Sequence, residues 1–206
     1  MAVLLFSIVV VTVFASFQAM YGKSDVVDGS LQKDQTALAC MNRIAVDLQG
    51  LYAQPAAVFQ VPDGDDSSDP YRVEGELSSQ GGKRFPRLAF SSTQSLFSGG
   101  GVTRVVYYVT GSITEGFALR RAERWYEEGP FVSDPWDPVL CDSVDELQFE
   151  YLDAEGAVHD RWDSDDGDFD YATPAAVQIR LKLKTSSQER TYRTTVSVPV
   201  GRSPRS

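Results

Sequence analysis

From Ala2 to Tyr21 the chain carries no Asp, Glu, Lys or Arg. A run of about 20 such residues makes a helix of roughly 30 Å, enough to cross the hydrocarbon core of a bilayer. Leu4, Leu5, Phe6, Phe14 and Phe17 supply apolar bulk, while Ser7, Thr12 and Ser16 join Ala15 and Ala19 in a strip of small residues where helices approach closely. Their hydroxyls can bond back to the carbonyl one turn earlier, so lipid tolerates them. A single-pass anchor is the first reading. A secretory signal peptide fits less well, because no basic n-region precedes the run and no small-x-small cleavage site comes after it. Charge returns at Lys23 and Asp25, yet no proline appears before Pro55. One helix is therefore expected to run from lipid into water, with residues 1–22 as its transmembrane half and 23–53 as its amphipathic half.

In that second half Leu38, Met41, Ala45, Leu48 and Tyr52 recur at alternating steps of three and four, and Ile44 and Leu51 widen the stripe. One face is expected to pack on the chain's own sheet, with Asn42, Arg43, Asp47 and Gln49 off it in water. A coiled coil would share the spacing, but the pattern is short and its arc wide. Cys40 falls at the edge of the stripe, within reach of the head.

Gln54-Pro55 stops the helix and opens a head over residues 54–200. Residues 62–70, PDGDDSSDP, read as a loop, and 78–83 as a second loop. Arg87–Ser91 and Thr103–Thr110 read as strands, joined through Gly99-Gly100-Gly101, which lacks the Lys-Ser/Thr and helix start of a phosphate loop. Phe117–Trp125 alternates apolar and charged residues, Phe117 and Leu119 and then Arg120, Arg121 and Arg124 before Trp125, and reads as a strand with one wet face. Leu147, Phe149 and Tyr151 alternate with Gln148, Glu150 and Leu152, and the turn Asp153–Gly156 leads into 157–162 as a hairpin. Pro174 opens a half-buried strand with Val177, Ile179, Leu181 and Leu183 inward, and 190–200 supplies its antiparallel neighbour. Residues 201–206 read as a polar, frayed tail. The fold class expected is α+β: a long N-terminal helix packed on an antiparallel sheet.

The formal charge of −10 in 206 residues disfavours a phosphate-binding surface, so nucleic acid is not expected as a partner. The acidic loops 62–70 and 163–170 offer carboxylates for calcium. The first matches no ligand spacing, the second has its glycine one position early and Pro174 near the place of the closing glutamate, so both read as solvated loops. His159, the only histidine, is expected to face solvent beside Asp160, and with two cysteines it cannot make a usual zinc site. No elbow marks a serine nucleophile. Neither an enzyme nor a cofactor is expected. Cys40 and Cys141 read as two buried thiols, with a disulfide permitted if the head lies outside the cytoplasm.

A membrane helix continuing into an amphipathic half, capped by a β head, resembles the type IV pilins and pseudopilins. Val144, Leu147, Phe149, Tyr151 and Asp153, then Gly156, Trp162 and the proline-opened strand at Pro174, resemble the strand, turn, tryptophan and strand of the J-type minor pseudopilins of type II secretion. About sixty residues of the head carry the likeness; the middle, from about Pro55 to Pro138, carries little. Family members begin with a basic leader, a peptidase-site glycine and a Phe-Thr-Leu-x-Glu opening. Residues 1–10 here resemble the stretch immediately after that glutamate, so the true start is expected upstream.

The resemblance implies a subunit held in the bacterial inner membrane by one span, with its head in the periplasm. It also implies a place at the pseudopilus tip beside the I-type and K-type minor pseudopilins and above the major pseudopilin, where assembly starts and folded proteins are driven out. If the start lies upstream, prepilin peptidase is a further partner. The rival readings are a minor pilin of a type IV pilus and a membrane-anchored periplasmic enzyme or binding domain.

Overall fold

The computed structural model describes residues 33–55, 59, 61, 69–96, 101–125, 131–184 and 189–203. The expected membrane-spanning stretch, with Leu4, Leu5, Phe6, Ser7, Thr12, Phe14, Ser16 and Phe17, lies outside the described residues. Among the described residues, no helix is long and apolar enough to cross a membrane. The chain divides into two compact units, Met1–Thr36 and Ala37–Ser206, and both sheets and the core belong to the second.

Helix α1 covers residues 33–49. Ten strands succeed it: β1 (Glu74–Gln80), β2 (Lys83–Ser92), β3 (Thr103–Ser112), β4 (Gly116–Arg124), β5 (Val139–Cys141), β6 (Val144–Leu152), β7 (Val158–His159), β8 (Trp162–Asp163), β9 (Ala176–Leu183) and β10 (Arg190–Ser197). They form two antiparallel sheets, one in the order β5-β4-β3-β2-β1-β8 and one in the order β10-β9-β6-β7. One core joins α1, the inner face of the first sheet (Leu88, Phe90, Val105, Tyr107, Leu119) and the inner face of the second (Leu147, Phe149, Tyr151, Ile179, Leu181).

The sheets differ in how much they bury, and the sequence carries the reason. Val105 to Val109 are buried without interruption, because Ala89, Val106, Tyr108 and Ala122 form a second small core under Phe131 on the opposite face of the first sheet. The second sheet keeps a wet face. In β9, Val177, Ile179, Leu181 and Leu183 are buried while Gln178, Arg180 and Lys182 are half-exposed.

β1 runs over residues 74–77, which the sequence pattern leaves unassigned, and into the second expected loop at 78–80. Its residues EGELSSQ have little intrinsic strand preference. Pairing on both sides, with β2 and with β8, holds it extended, and the tight turn Gly81-Gly82 has positive φ at both positions (52° and 85°), which suits a two-residue hairpin. A side chain at Gly81 would meet the Gly111 carbonyl at 2.4 Å. The hairpin expected over 157–162 is also divided: Val158-His159 pairs with β6, whereas Trp162-Asp163 crosses to pair with Glu74-Gly75 in the other sheet. Trp162 thereby bridges the two sheets near their join.

The stripe on α1 is corrected by one step. The buried positions are Ala37, Cys40, Met41, Ile44, Asp47, Leu48 and Leu51, with Ala45 packed at the margin. Leu38, expected against the head, is 60% exposed, and Tyr52 is 37% exposed. The face is centred on Ile44, and a 3.6-residue turn carries Leu38 to the far side of that centre. Counting apolar residues alone misses this, because a carboxylate occupies one of the buried steps.

Candidate functional site

That carboxylate is Asp47. It is fully buried, and Arg121 of β4 reaches it with Nε 2.6 Å from Oδ2. Tyr107 of β3 donates its hydroxyl to Oδ2, and Arg43, one turn back on α1, binds Oδ1. Arg121 continues to Glu123 Oε2 at 2.6 Å and to the Gln94 carbonyl at 3.2 Å. Two carboxylates and two guanidiniums therefore share one water-poor site between helix and sheet. Burial raises the Tyr107 hydroxyl, and the Asp47 charge adds to it. Burial opposes ionisation of Glu123, but Arg121, Ser95 and the Leu96 N–H together outweigh it and hold this carboxyl below its ordinary value. Backbone contacts finish the joint: Leu51 bridges Ser92, Tyr52 N–H donates to Ser91 O at 2.8 Å, and Ser92 Oγ donates to Asp47 O at 2.9 Å.

Neither Asp47 nor Arg121 is expected inside from the sequence. Strand parity holds the clue to the second: Phe117, Leu119, Arg121 and Glu123 share one face of β4, and the first two are apolar. A charged residue in register with a buried row needs a buried partner, and Asp47 is the acid that α1 supplies on its inner face.

The residues carrying the family likeness gather at the second sheet and its join with the first. Val144, Leu147, Phe149 and Tyr151 point inward from β6, and Gly156 takes φ 86° in the turn held by Asp153. Trp162 donates Nε1–H to Ala172 O at 3.0 Å and packs on Phe169 at 4.6 Å between centroids; Pro174 is buried beside the start of β9. Tyr151 places its hydroxyl over Gly75, where any Cβ would lie 1.9 Å away. Their arrangement is a packed corner. His159 differs from expectation: its Nε2 lies 3.0 Å from Asp153 Oδ2 and its ring packs edge-on to Trp162 and Phe169. A cavity of about 70 Å³ opens beside it.

Residues 62–68 of the first acidic loop and 204–206 of the tail lie outside the described residues, but Asp69, Asp165 and Arg202 depart from the solvated reading. Arg202 is only 3% exposed; it reaches Asp69 at 2.9 Å and Asp165 at 3.3 Å, and donates to the carbonyls of Tyr171 and Ser164. Its guanidinium lies 3.4 Å from the Phe59 ring centroid. Residues 201–203 are pinned, with Thr173 N–H donating to Arg202 O at 3.0 Å. Among the described residues no group of three or more His, Cys, Asp or Glu stands where it could hold a metal ion. A cleft of about 360 Å³ lies on the wet face of the second sheet between Glu150, Arg180 and Arg193.

A helix seated by its inner face on an antiparallel head, with the β6 motif turned into the core, is the arrangement a pilin-like subunit needs. The family model of type II secretion system protein J matches residues 17–194. The chain belongs to that family. It is a J-type minor pseudopilin, with a pseudopilin's role in type II secretion alongside other pseudopilins and the secretion machinery. The family is structural and anchored in the inner membrane. No match was found among curated proteins.

Proposed function

We propose that this chain is a non-enzymatic tip subunit of the pseudopilus, helping to start its assembly with the I-type and K-type minor pseudopilins ahead of the major one. Residues 1–22 form its membrane anchor and 23–53 the amphipathic half, and the head sits in the periplasm. The observation that supports this reading is the outward face of α1. Leu38, Ala39, Asn42 and Gln49 are its exposed residues from 37 onward, and none carries a charge, in a chain that is 23% charged. An exposed helix stripe with no charge and an outward leucine suits packing against neighbouring helices. Leu38, expected to pack inward, is thereby assigned to assembly. The open edge of β10, with Arg193 and Thr195 exposed, is available to a neighbouring head.

The test is to mix the chain from about Lys23 onward with the I-type and K-type heads of the same system and weigh the product. A ternary species, weakened by Leu38→Glu, is expected. Folded heads that fail to combine at every salt concentration tried overturn the tip assignment.

A further inference from the structure

Cys40 lies on the inner face of α1 and Cys141 ends β5, the short edge strand of the first sheet. Their sulfurs are 3.5 Å apart although 101 residues separate them in sequence, and each residue is 2% exposed. Both are thiols here. Both belong to the apolar core, with Leu119 paired opposite Cys141, and no third ligand is present for a metal among the described residues. A disulfide needs the sulfurs at about 2.05 Å, so closure asks for a movement of ~1.5 Å, within the reach of side-chain rotation. β5 has little else to hold it: it is three residues long and pairs with β4 only at Leu119↔Cys141 and Arg120↔Val139, across a bulge.

We propose that Cys40 and Cys141 are joined by a disulfide in the exported protein, fastening the assembly helix to the edge of the head. This rests on the reading that the head lies outside the cytoplasm, where oxidation is permitted. The oxidant is a protein disulfide of the envelope. One cysteine thiolate attacks it and expels a thiolate, giving a mixed disulfide. The other cysteine then attacks the protein sulfur of that bond and releases the second thiolate. Two cysteine thiols are oxidised, one oxidant disulfide becomes two thiols, and the two protons pass to them. The bond forms before α1 closes over the sheet. In the folded chain the contact with Cys141, together with burial, pushes the Cys40 thiol far up, and a buried protonated thiol is a poor nucleophile.

The full chain is taken from the membranes of cells that make it, denatured in an alkylating agent without reductant, and weighed. No alkyl group is expected before reduction and two after it, with Cys40 and Cys141 recovered as one linked peptide pair. Cys40→Ser and Cys141→Ser should each leave one thiol that alkylates without reduction. Two groups added before reduction, in protein whose head is digested by protease in spheroplasts, overturn the proposal. A protected head overturns the location on which it depends, while subunit mixing tests the tip role separately. The order of events is read in the purified chain: refolding in glutathione disulfide should close the bridge at least tenfold faster than treating the folded, reduced chain. Equal rates overturn that order.

Discussion

Two arginines are buried among the described residues of this head, and their surroundings set opposite terms. Arg121 is enclosed between α1 and the first sheet, where Asp47 and Glu123 balance Arg121 and Arg43. Arg202 ties two acidic loops, facing Asp69 and Asp165 with Asp163 and Asp166 close by. At the first site Glu123 is held below its ordinary value in spite of burial. At the second, burial drives Asp163 and Asp165 upward, and the neighbouring carboxylates add to it. Burial alone therefore does not decide whether an acid stays charged. The donors and charges around it do: Arg121, Ser95 and the Leu96 N–H together outweigh burial at Glu123, whereas at Asp163 and Asp165 neighbouring carboxylates add to burial.

The contrast is broken most directly at Arg121. Arg121→Ala leaves the buried Asp47 with Arg43 and Tyr107 alone and takes the guanidinium from Glu123, and is expected to cost about 3–5 kcal/mol, read from denaturant midpoints. Combining it with Asp47→Ala should cost clearly less than the two single losses added, since one buried charge is no longer left facing a void. Arg202→Ala removes a guanidinium that holds loops rather than a helix, and relieves one crowded acid site of its ion only to leave the acids; a smaller loss of about 2 kcal/mol is expected in the same measurement.

Acid titration separates the two sites by sign. Glu123, with its folded value depressed, contributes stability that is complete above its ordinary 4.5 and is lost as pH falls through the folded value. Asp163 and Asp165, raised above 3.8, do the reverse: their protonated forms favour the native state, so stability rises as pH falls through their folded values. Midpoints tracked from pH 7 to 3 should show Glu123→Gln blunting the acid-side loss and Asp165→Asn removing the opposing gain. Parallel curves for both variants would erase the distinction. The smallest effect belongs to Leu38→Asn, expected within about 0.5 kcal/mol of the parent because the side chain is exposed. A larger loss would return Leu38 to the helix-to-head contact.

The sequence made the apolar framework readable and concealed the charged one. β3, β6, β9 and β10 stand where alternation or unbroken β-branched and aromatic runs place them, because one or both faces bury against a core. β1 was hidden because its extended form comes from partners on both sides rather than from its own residues. The α1 stripe came out one step off for a related reason. Periodicity weighs Leu38 and Tyr52 as core and Asp47 as surface, and only a buried guanidinium on another element reverses that ranking. Cys40, placed at the margin, sits well inside the corrected stripe. The join of Tyr151, Gly75 and Trp162 was half visible: the aromatics could be read as motif, but the switch of Trp162 to the opposite sheet depends on β1, which has no pattern of its own to announce it.

The attachment of α1 also makes it a mechanical handle. Met41, Ile44, Asp47 and Leu48 grip the head along the last turns of the helix, and Leu51, just beyond its end, is locked by backbone pairing to Ser92. A pull along the helix axis would therefore meet these grips in parallel, as shear, instead of peeling them one after another.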